Sequence, residues 1–490
     1  GVSIQPNDLE CQMRACLEQR DIADTHLFDL GRSMEAHSNP IRLVSRRAMI
    51  PTSAALLVVP RHVLGGKGEK APSDTLNLAA VGVGGAGEAY LAGCASENIV
   101  ALCDVDFTYA AKTFAKYPKA KIYRDFRRML DQEKHIDGVI IATPDHTHAV
   151  VAMAAISLGK HVYCAKPLAR TIQEVRVVAQ AARDKRIATQ MSVQSSMTDG
   201  ACSTVEWIQA GAVGTVREVH AWSDRPVWPQ GVTCPTLEER TPDGLDWDLW
   251  LGPAAARPYN PVYHPFNWRG WYDFGTGAVG DMACHTLHIV FRALRLGPPI
   301  AVSAANSFIM IPALKGDGDE PWMRAKRVKT AETFPSASVV TFDFAPDANG
   351  RTVRLYWYDG GLKPPRPAEL PPDKTLPSAG LMFVGDRGIL LNGFSDGPQL
   401  LIGPKGFTPP PRTIPRTEGH YAEWINAAKG GPPATCEFDF AALLTETALL
   451  GTLAQRTGRY LQWDSKQGKI TNDPEANALI AQPYRKGWSL

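Results

Sequence analysis

One stretch constrains this chain more than any other: Leu76-Asn-Leu-Ala-Ala-Val-Gly-Val-Gly-Gly-Ala-Gly87. The apolar run 78–83 has the length and composition of a buried strand. It runs into Gly82, Gly84 and Gly87, spaced G-x-G-x-x-G, and 88–95 then reads as a helix. Glycines at this spacing let the backbone turn tightly and approach a pyrophosphate seated on the helix N-terminus. The motif alone is weak evidence, so the argument rests on its surroundings.

A second apolar strand, 99–103, ends at Asp104. An acidic residue about 20 positions after the glycines suits the ribose hydroxyls of NAD, and its charge repels the 2′-phosphate of NADP. Further strands at 138–142, 159–164 and 187–192 alternate with helices at 108–116, 126–132, 149–158 and 171–184. Such alternation predicts a parallel, doubly wound sheet, whose ligands bind beyond the strands' C-terminal ends. Asp104, the run Thr143-Pro144-Asp145-His146-Thr147-His148, and Lys166-Pro167 all fall at such ends. Most lysines are solvated surface groups, but Lys166 follows a strand directly and precedes a proline that restricts its backbone. It would face the nicotinamide, able to hydrogen-bond a substrate hydroxyl or take its proton. His146 and His148 read equally as ligand-facing or as loop and helix-start residues.

Residues 1–75 differ from the rest. Ser45-Arg46-Arg47-Ala48-Met49-Ile50 precedes a short apolar segment, 51–60, and a glycine-rich spacer. This order resembles a twin-arginine export signal and predicts an exported, periplasmic protein whose natural start lies near Val44 or Ser45; the bland reading is a disordered arm carrying a chance arginine pair. The net charge of +2 gives no electrostatic support to a nucleic-acid or membrane-surface role. Nine cysteines without a C-x-x-C pair argue against a disulfide framework and a structural zinc site. No apolar run is long enough for a membrane span.

The βα alternation stops after Gln194. An aromatic-rich region follows, with Trp222, Trp228, Trp247, Trp250, Tyr259, Tyr263, Phe266, Trp268, Trp271 and Tyr272, suited equally to sugar-ring binding and to core packing. Strands at 216–223, 301–306, 338–344 and 352–358, and a hairpin over 381–391, predict a mostly antiparallel sheet. Asp281 and His285 stand four apart, which on a helix places them on one face. A carboxylate beside an imidazole fixes its tautomer and raises its basicity; the bland alternative is a helix cap and a packed histidine. No third ligand stands at a fixed offset, so a metal site is not expected.

Together, Gly82-x-Gly84-x-x-Gly87, Asp104, Thr143-Pro144, Lys166-Pro167 and Asp281-x-x-x-His285 resemble the Gfo/Idh/MocA oxidoreductases over roughly 76–488. The family usually carries Glu before the lysine, where this chain has Ala165, and many members have Asp at the position of His288. The resemblance implies an N-terminal Rossmann domain, 76–197, and a C-terminal α/β domain, 198–490, with a mostly antiparallel open sheet through which members commonly associate. It implies that NAD is held by the glycine turn, Asp104, Thr143, Pro144, His146, His148, Lys166 and Pro167. Lys166, Asp281 and His285 would surround the reacting carbon, and Trp268, Arg269, Tyr272 and His288 would line the substrate site.

The expected activity is NAD-dependent oxidation of a sugar or sugar derivative, with Asp281 orienting His285. Free NAD is scarce outside the cytoplasm, so an exported enzyme would hold its cofactor tightly and regenerate it in each cycle. An alternative is a glycosidase that oxidises transiently, eliminates the aglycone, adds water and reduces again. Another is a non-catalytic sugar- or nucleotide-binding protein.

Overall fold

The computed structural model describes residues 74–490 apart from 315, 316, 319, 321, 329, 330, 394 and 395. The leader up to residue 73, Arg46 and Arg47 included, lies outside the described residues. Among the described residues, β1 (Asn77–Val81), β2 (Asn98–Cys103), β3 (Lys121–Tyr123), β4 (Gly138–Ile141), β5 (His161–Cys164) and β6 (Thr189–Met191) form one sheet. Its order is β3-β2-β1-β4-β5-β6, and every pairing is parallel. Residues 78–81 and the whole of β4 are buried. This is why they read as continuous apolar runs: both faces of a parallel sheet are covered by helices. The three-residue β3 is too short to carry a periodic signal, so only pairing with β2 defines it.

The crossovers include α1 (Ala86–Gly93), α2 (Phe107–Lys116), α3 (Phe126–Gln132), α4 (Asp145–Ser157) and α5 (Ile172–Lys185). Helix α4 starts four residues before the expected 149, which puts His146 and His148 in its first turn. An acidic residue there, Asp145, suits the positive end of the helix dipole. Helix α5 begins at a capping box, in which Thr171 accepts from Glu174 N–H and the Glu174 carboxylate reaches back to Thr171 N–H. That cap fixes the chain just after Lys166.

After α6 (Asp199–Gln209) comes a larger mixed sheet. Its strands are β7 (Val216–Trp222), β8 (Ala301–Asn306), β11 (Ser338–Asp343), β12 (Arg354–Tyr358), β13 (Gly380–Gly385), β14 (Ile389–Gly393), β15 (Pro398–Ile402), β16 (Leu461–Asp464) and β17 (Lys469–Ile470). They lie in the order β15-β14-β13-β7-β12-β11-β8-β16-β17, all antiparallel except β7 with β12. A separate pair, β9 (Met310–Pro312) and β10 (Ala325–Arg327), was not foreseen. Helix α7 (Trp247–Leu251) lies in the aromatic region, and α8 (Gly277–Leu294) carries Asp281 and His285.

One sheet face turns Val219, Ala221, Val340, Phe342, Leu355, Trp357, Leu381 and Phe383 into a core shared with α8 and α10 (Phe438–Thr457). Strand β11 alternates buried and half-buried residues, the period of a half-covered strand. On the other face the proline-rich connection covers Trp222, whose indole N–H donates to Pro377 O at 2.9 Å. Helix α9 (His420–Ala428) and α10 return to the first sheet. Trp424 packs with Leu78 and Tyr163, while Cys436 N–H donates to Gln190 and Phe438 N–H to Thr189.

Candidate functional site

The glycine turn follows β1 directly. Gly82 adopts φ +78°, a left-handed conformation that L side chains avoid. A β-carbon on Gly87 would lie 2.0 Å from the Gly82 carbonyl oxygen. The turn and the first turn of α1 therefore touch backbone to backbone. No side chain caps α1 at Gly85, so its N-terminus keeps the character of an anion seat. Asp104 lies beneath the turn. Its carboxylate accepts from Val83 N–H (2.8 Å), Gly84 N–H (3.0 Å) and Asp106 N–H (2.9 Å), and burial pushes its pKa upward. A carboxylate has about four acceptor positions, which leaves capacity for a ribose hydroxyl. Thr143 Oγ1, just beyond β4, is buried without a hydrogen-bond partner. A helix end without a side-chain cap, a glycine turn and an orphaned hydroxyl are what a dinucleotide would complete.

Beside this cradle, Lys166 projects from the end of β5. Its Nζ lies 2.6 Å from Asp281 Oδ1 and donates to the Asp281 carbonyl at 2.7 Å. Arg269 Nε donates to the same carboxylate oxygen at 3.1 Å. Burial raises the Asp281 pKa, but the charges of Lys166 and Arg269 outweigh it and hold the group at about 2. With Ala165 before it, Lys166 takes its carboxylate partner from Asp281, on α8. Lys166 N–H donates to Ser192 Oγ (3.1 Å), which is bonded in turn to the Tyr90 hydroxyl (2.9 Å).

One helical turn on, burial and the neighbouring Lys166 charge push His285 down to about 3, against the opposite pull of Asp281. Both influences favour the neutral imidazole. Arg269, which belongs to the ion-pair cluster through Asp281, also lies over Trp268 (4.2 Å) and Phe266 (4.5 Å). Tyr272 packs on Phe334 at 4.2 Å under the Arg456 guanidinium. His288 is fully buried, and neither ring nitrogen has a hydrogen-bond partner.

His146 and His148 do not join the Lys166–Asp281 pair. His146 Nε2 meets Trp250 O at 2.9 Å and Nδ1 meets Phe274 O at 3.3 Å. His148 sits between Pro167 O and Thr143 O, each at 2.8 Å. His146 thus ties α4 to α7 and to the segment before α8, and His148 ties the residue after Lys166 to the end of β4. Most of the aromatic region is likewise packing: Trp247, Trp250, Tyr259, Tyr263, Trp268, Trp271 and Phe274 form one buried or half-buried cluster, with Trp247 and Trp250 stacked at 4.6 Å.

Sequence reasoning passed over Asp145, although it stands inside the quoted strand-end run. It is buried and accepts from the Thr276 hydroxyl at 2.6 Å, joining α4 to the start of α8. Burial drives its pKa up to about 7, the Thr276 bond opposing and the nearby Asp281 charge adding to the rise. A folded-state pKa above the unfolded value means the stability contribution is complete below about pH 4 and is lost as pH rises through 7. Asp145→Asn cannot ionise. Its stability relative to the parent should therefore improve between pH 5 and pH 8, read as a shift in urea midpoint. An equal difference at both pH values would contradict this assignment.

Comparison with known proteins agrees with this architecture. Residues 76–192 match the NAD-binding Rossmann fold of the Gfo/Idh/MocA oxidoreductase family, and 215–297 match its C-terminal α/β domain. The chain is 32% identical over 164 residues to a levoglucosan dehydrogenase of Pseudarthrobacter phenanthrenivorans, covering 33% of this chain and 34% of that protein. It is 30% identical over 152 residues to an inositol 2-dehydrogenase of Salmonella typhimurium, covering 30% of this chain and 45% of that protein. The matches thus span less than half the length of these relatives. Among solved structures, the WlbA dehydrogenase of Bordetella pertussis in complex with NADH and UDP-GlcNAcA superposes with a TM-score of 0.55 at 15% identity, over 80% of this chain and 99% of that one. An aldose–aldose oxidoreductase of Caulobacter crescentus gives 0.52 at 17% identity, over 79% of this chain and all of that one. At these identities the likeness concerns the fold. The two matches fall in chain order, so this chain is similar to the Gfo/Idh/MocA oxidoreductases in both domains, with residues 76–192 matching the NAD-binding Rossmann fold.

Proposed function

We propose that this protein is an NAD-dependent oxidoreductase acting on a secondary alcohol of a sugar or sugar-like polyol, the substrate class named for the levoglucosan and inositol dehydrogenases. The observation that carries the reading is the Lys166–Asp281 ion pair beside the glycine cradle, with His285 one turn further along the same helix. NAD, when bound, supplies the hydride acceptor. The amides at the start of α1 would hold its phosphates and Asp104 a ribose hydroxyl, with Thr143 Oγ1 donating from the β4 end.

Lys166, fixed by Asp281, directs an N–H at the substrate oxygen and stabilises negative charge as it develops there. His285, one turn along the same helix, would take the hydroxyl proton. Asp281 acts through Lys166 and Arg269, holding both heads in place. Thr276 and Asp145 fix the start of the helix that carries Asp281 and His285. If the leader with Arg46 and Arg47 directs export, the cofactor must stay bound from one turnover to the next.

The test is to purify the protein from cells, denature it and assay the supernatant for nicotinamide dinucleotide. We expect NAD near one equivalent per chain, and its reduction on incubation of the native protein with a responsive sugar or polyol. Recovery of no dinucleotide, with no binding of added NADH, would refute the reading.

A further inference from the structure

We propose that residues 243–264 form a strap over the adenosine end of the dinucleotide cleft, latched by Arg485, so that NAD enters and leaves only when the strap lifts. This rests on the NAD reading above and adds a device that the family likeness does not supply.

The β2–α2 turn, residues 104–107, is where the ribose of a dinucleotide lies in a doubly wound sheet. The second domain is hydrogen-bonded to that turn. Asp106 and Leu245 form an antiparallel bridge, with Phe107 N–H donating to Gly244 O (3.0 Å) and Asp246 N–H to Val105 O (2.9 Å). Arg124 clasps both chains, its Nη1 donating to Gly244 O at 3.0 Å and to Val105 O at 3.2 Å. His264 Nε2 lies 2.9 Å from Asp106 Oδ2 and its ring meets the edge of Tyr109. The Tyr109 ring covers the glycine turn so closely that a β-carbon on Gly84 would fall 2.3 Å from it. A line of contact thus runs from the pyrophosphate turn through Tyr109 and His264 into the strap.

The strap is held on its far side by the C-terminal segment. Arg485 Nε donates to Gly252 O at 2.8 Å and Nη2 to Asp248 O at 2.6 Å, and the guanidinium also grips the Asp248 carboxylate. Gly252 is the cap that ends α7, and its own N–H donates back to Asp248 O, so Arg485 grips both ends of that closing turn. Arg485 N–H donates to Pro253 O, and the Trp488 ring, three residues on, lies under Arg127 of α3. Arg485 therefore ties the strap to a tail that is anchored on the nucleotide domain. Lifting the strap breaks these contacts together.

The experiment loads the full-length protein with NADH and follows loss of bound-NADH fluorescence on mixing with excess NAD. Arg485→Ala removes the latch. Gly244→Leu forces a side chain into Thr108, whose Oγ1 would lie 2.0 Å from the new β-carbon. Both should release NADH at least tenfold faster while circular dichroism and the main thermal transition are retained. If Gly244→Leu does not fold, Arg485→Ala alone decides, because it touches neither turn nor site. Wild-type release rates in the folded variants overturn the strap and leave the NAD reading standing. A parent protein that binds no NADH overturns both.

Discussion

Lys166→Ala should lower kcat by about three orders of magnitude while NADH still binds, since positioned proton-transfer and hydrogen-bonding groups each contribute roughly 10²–10⁴-fold. Lys166 is held from three sides: by the Asp281 carboxylate at 2.6 Å, by the Asp281 carbonyl at 2.7 Å and, through its own amide, by Ser192. Alanine removes the donor to the substrate oxygen and leaves Asp281 with Arg269 as its cationic partner. Because that carboxylate stays paired, the loss should appear in turnover and not as unfolding. The glycine turn and Asp104 are untouched, so NADH titration should give a dissociation constant within about threefold of the parent. Turnover within tenfold of the parent would remove Lys166 from the chemistry.

Gly87→Val should abolish measurable dinucleotide binding. The first added carbon already falls 2.0 Å from the Gly82 carbonyl oxygen and 2.9 Å from its carbon. Both neighbours are backbone, so no rotamer change relieves the clash; the turn must open or α1 must move off the sheet. Overpacking of a close-packed contact costs about 1–3 kcal/mol, and displacing the phosphate seat weakens binding further. A loss of at least 100-fold in NADH affinity, about 2.7 kcal/mol, is expected, with a lower urea midpoint. Undiminished NADH affinity in Gly87→Val would mean that the cofactor does not approach this turn. Paired with Lys166→Ala, the two variants separate holding the cofactor from using it.

How far the site could be read in advance differs from residue to residue. The spacing of Asp281 and His285 was enough to put them on one helical face, and α8 carries both. It did not reveal that the carboxylate pairs with Lys166, 115 residues earlier in the chain. Pairing with the adjacent imidazole was the local expectation, whereas the strongest charges on Asp281 come from another domain and another turn. The two strand-end histidines were as readable as Lys166 by position, yet their rings brace carbonyls of residues 167, 250 and 274. No local pattern encodes that choice, because a buried imidazole takes whichever acceptors packing delivers. Asp145 was hidden for the same reason: its partner Thr276 is 131 residues away.

The sequence by itself determined the features governed by neighbours along the chain: a buried parallel strand, a turn that only glycine can make, a lysine at a strand end, and two polar residues one helical turn apart. Backbone geometry and side-chain period fix these within a few residues. Tertiary structure alone decided the partners. It set Asp281 against Lys166, turned Asp104 into the clamp of the glycine turn, packed most of the aromatic residues into a core, and laid residues 243–264 across the end of β2. Those outcomes depend on which distant surfaces meet, and burial then leaves each polar group to bind the partner that meeting supplies.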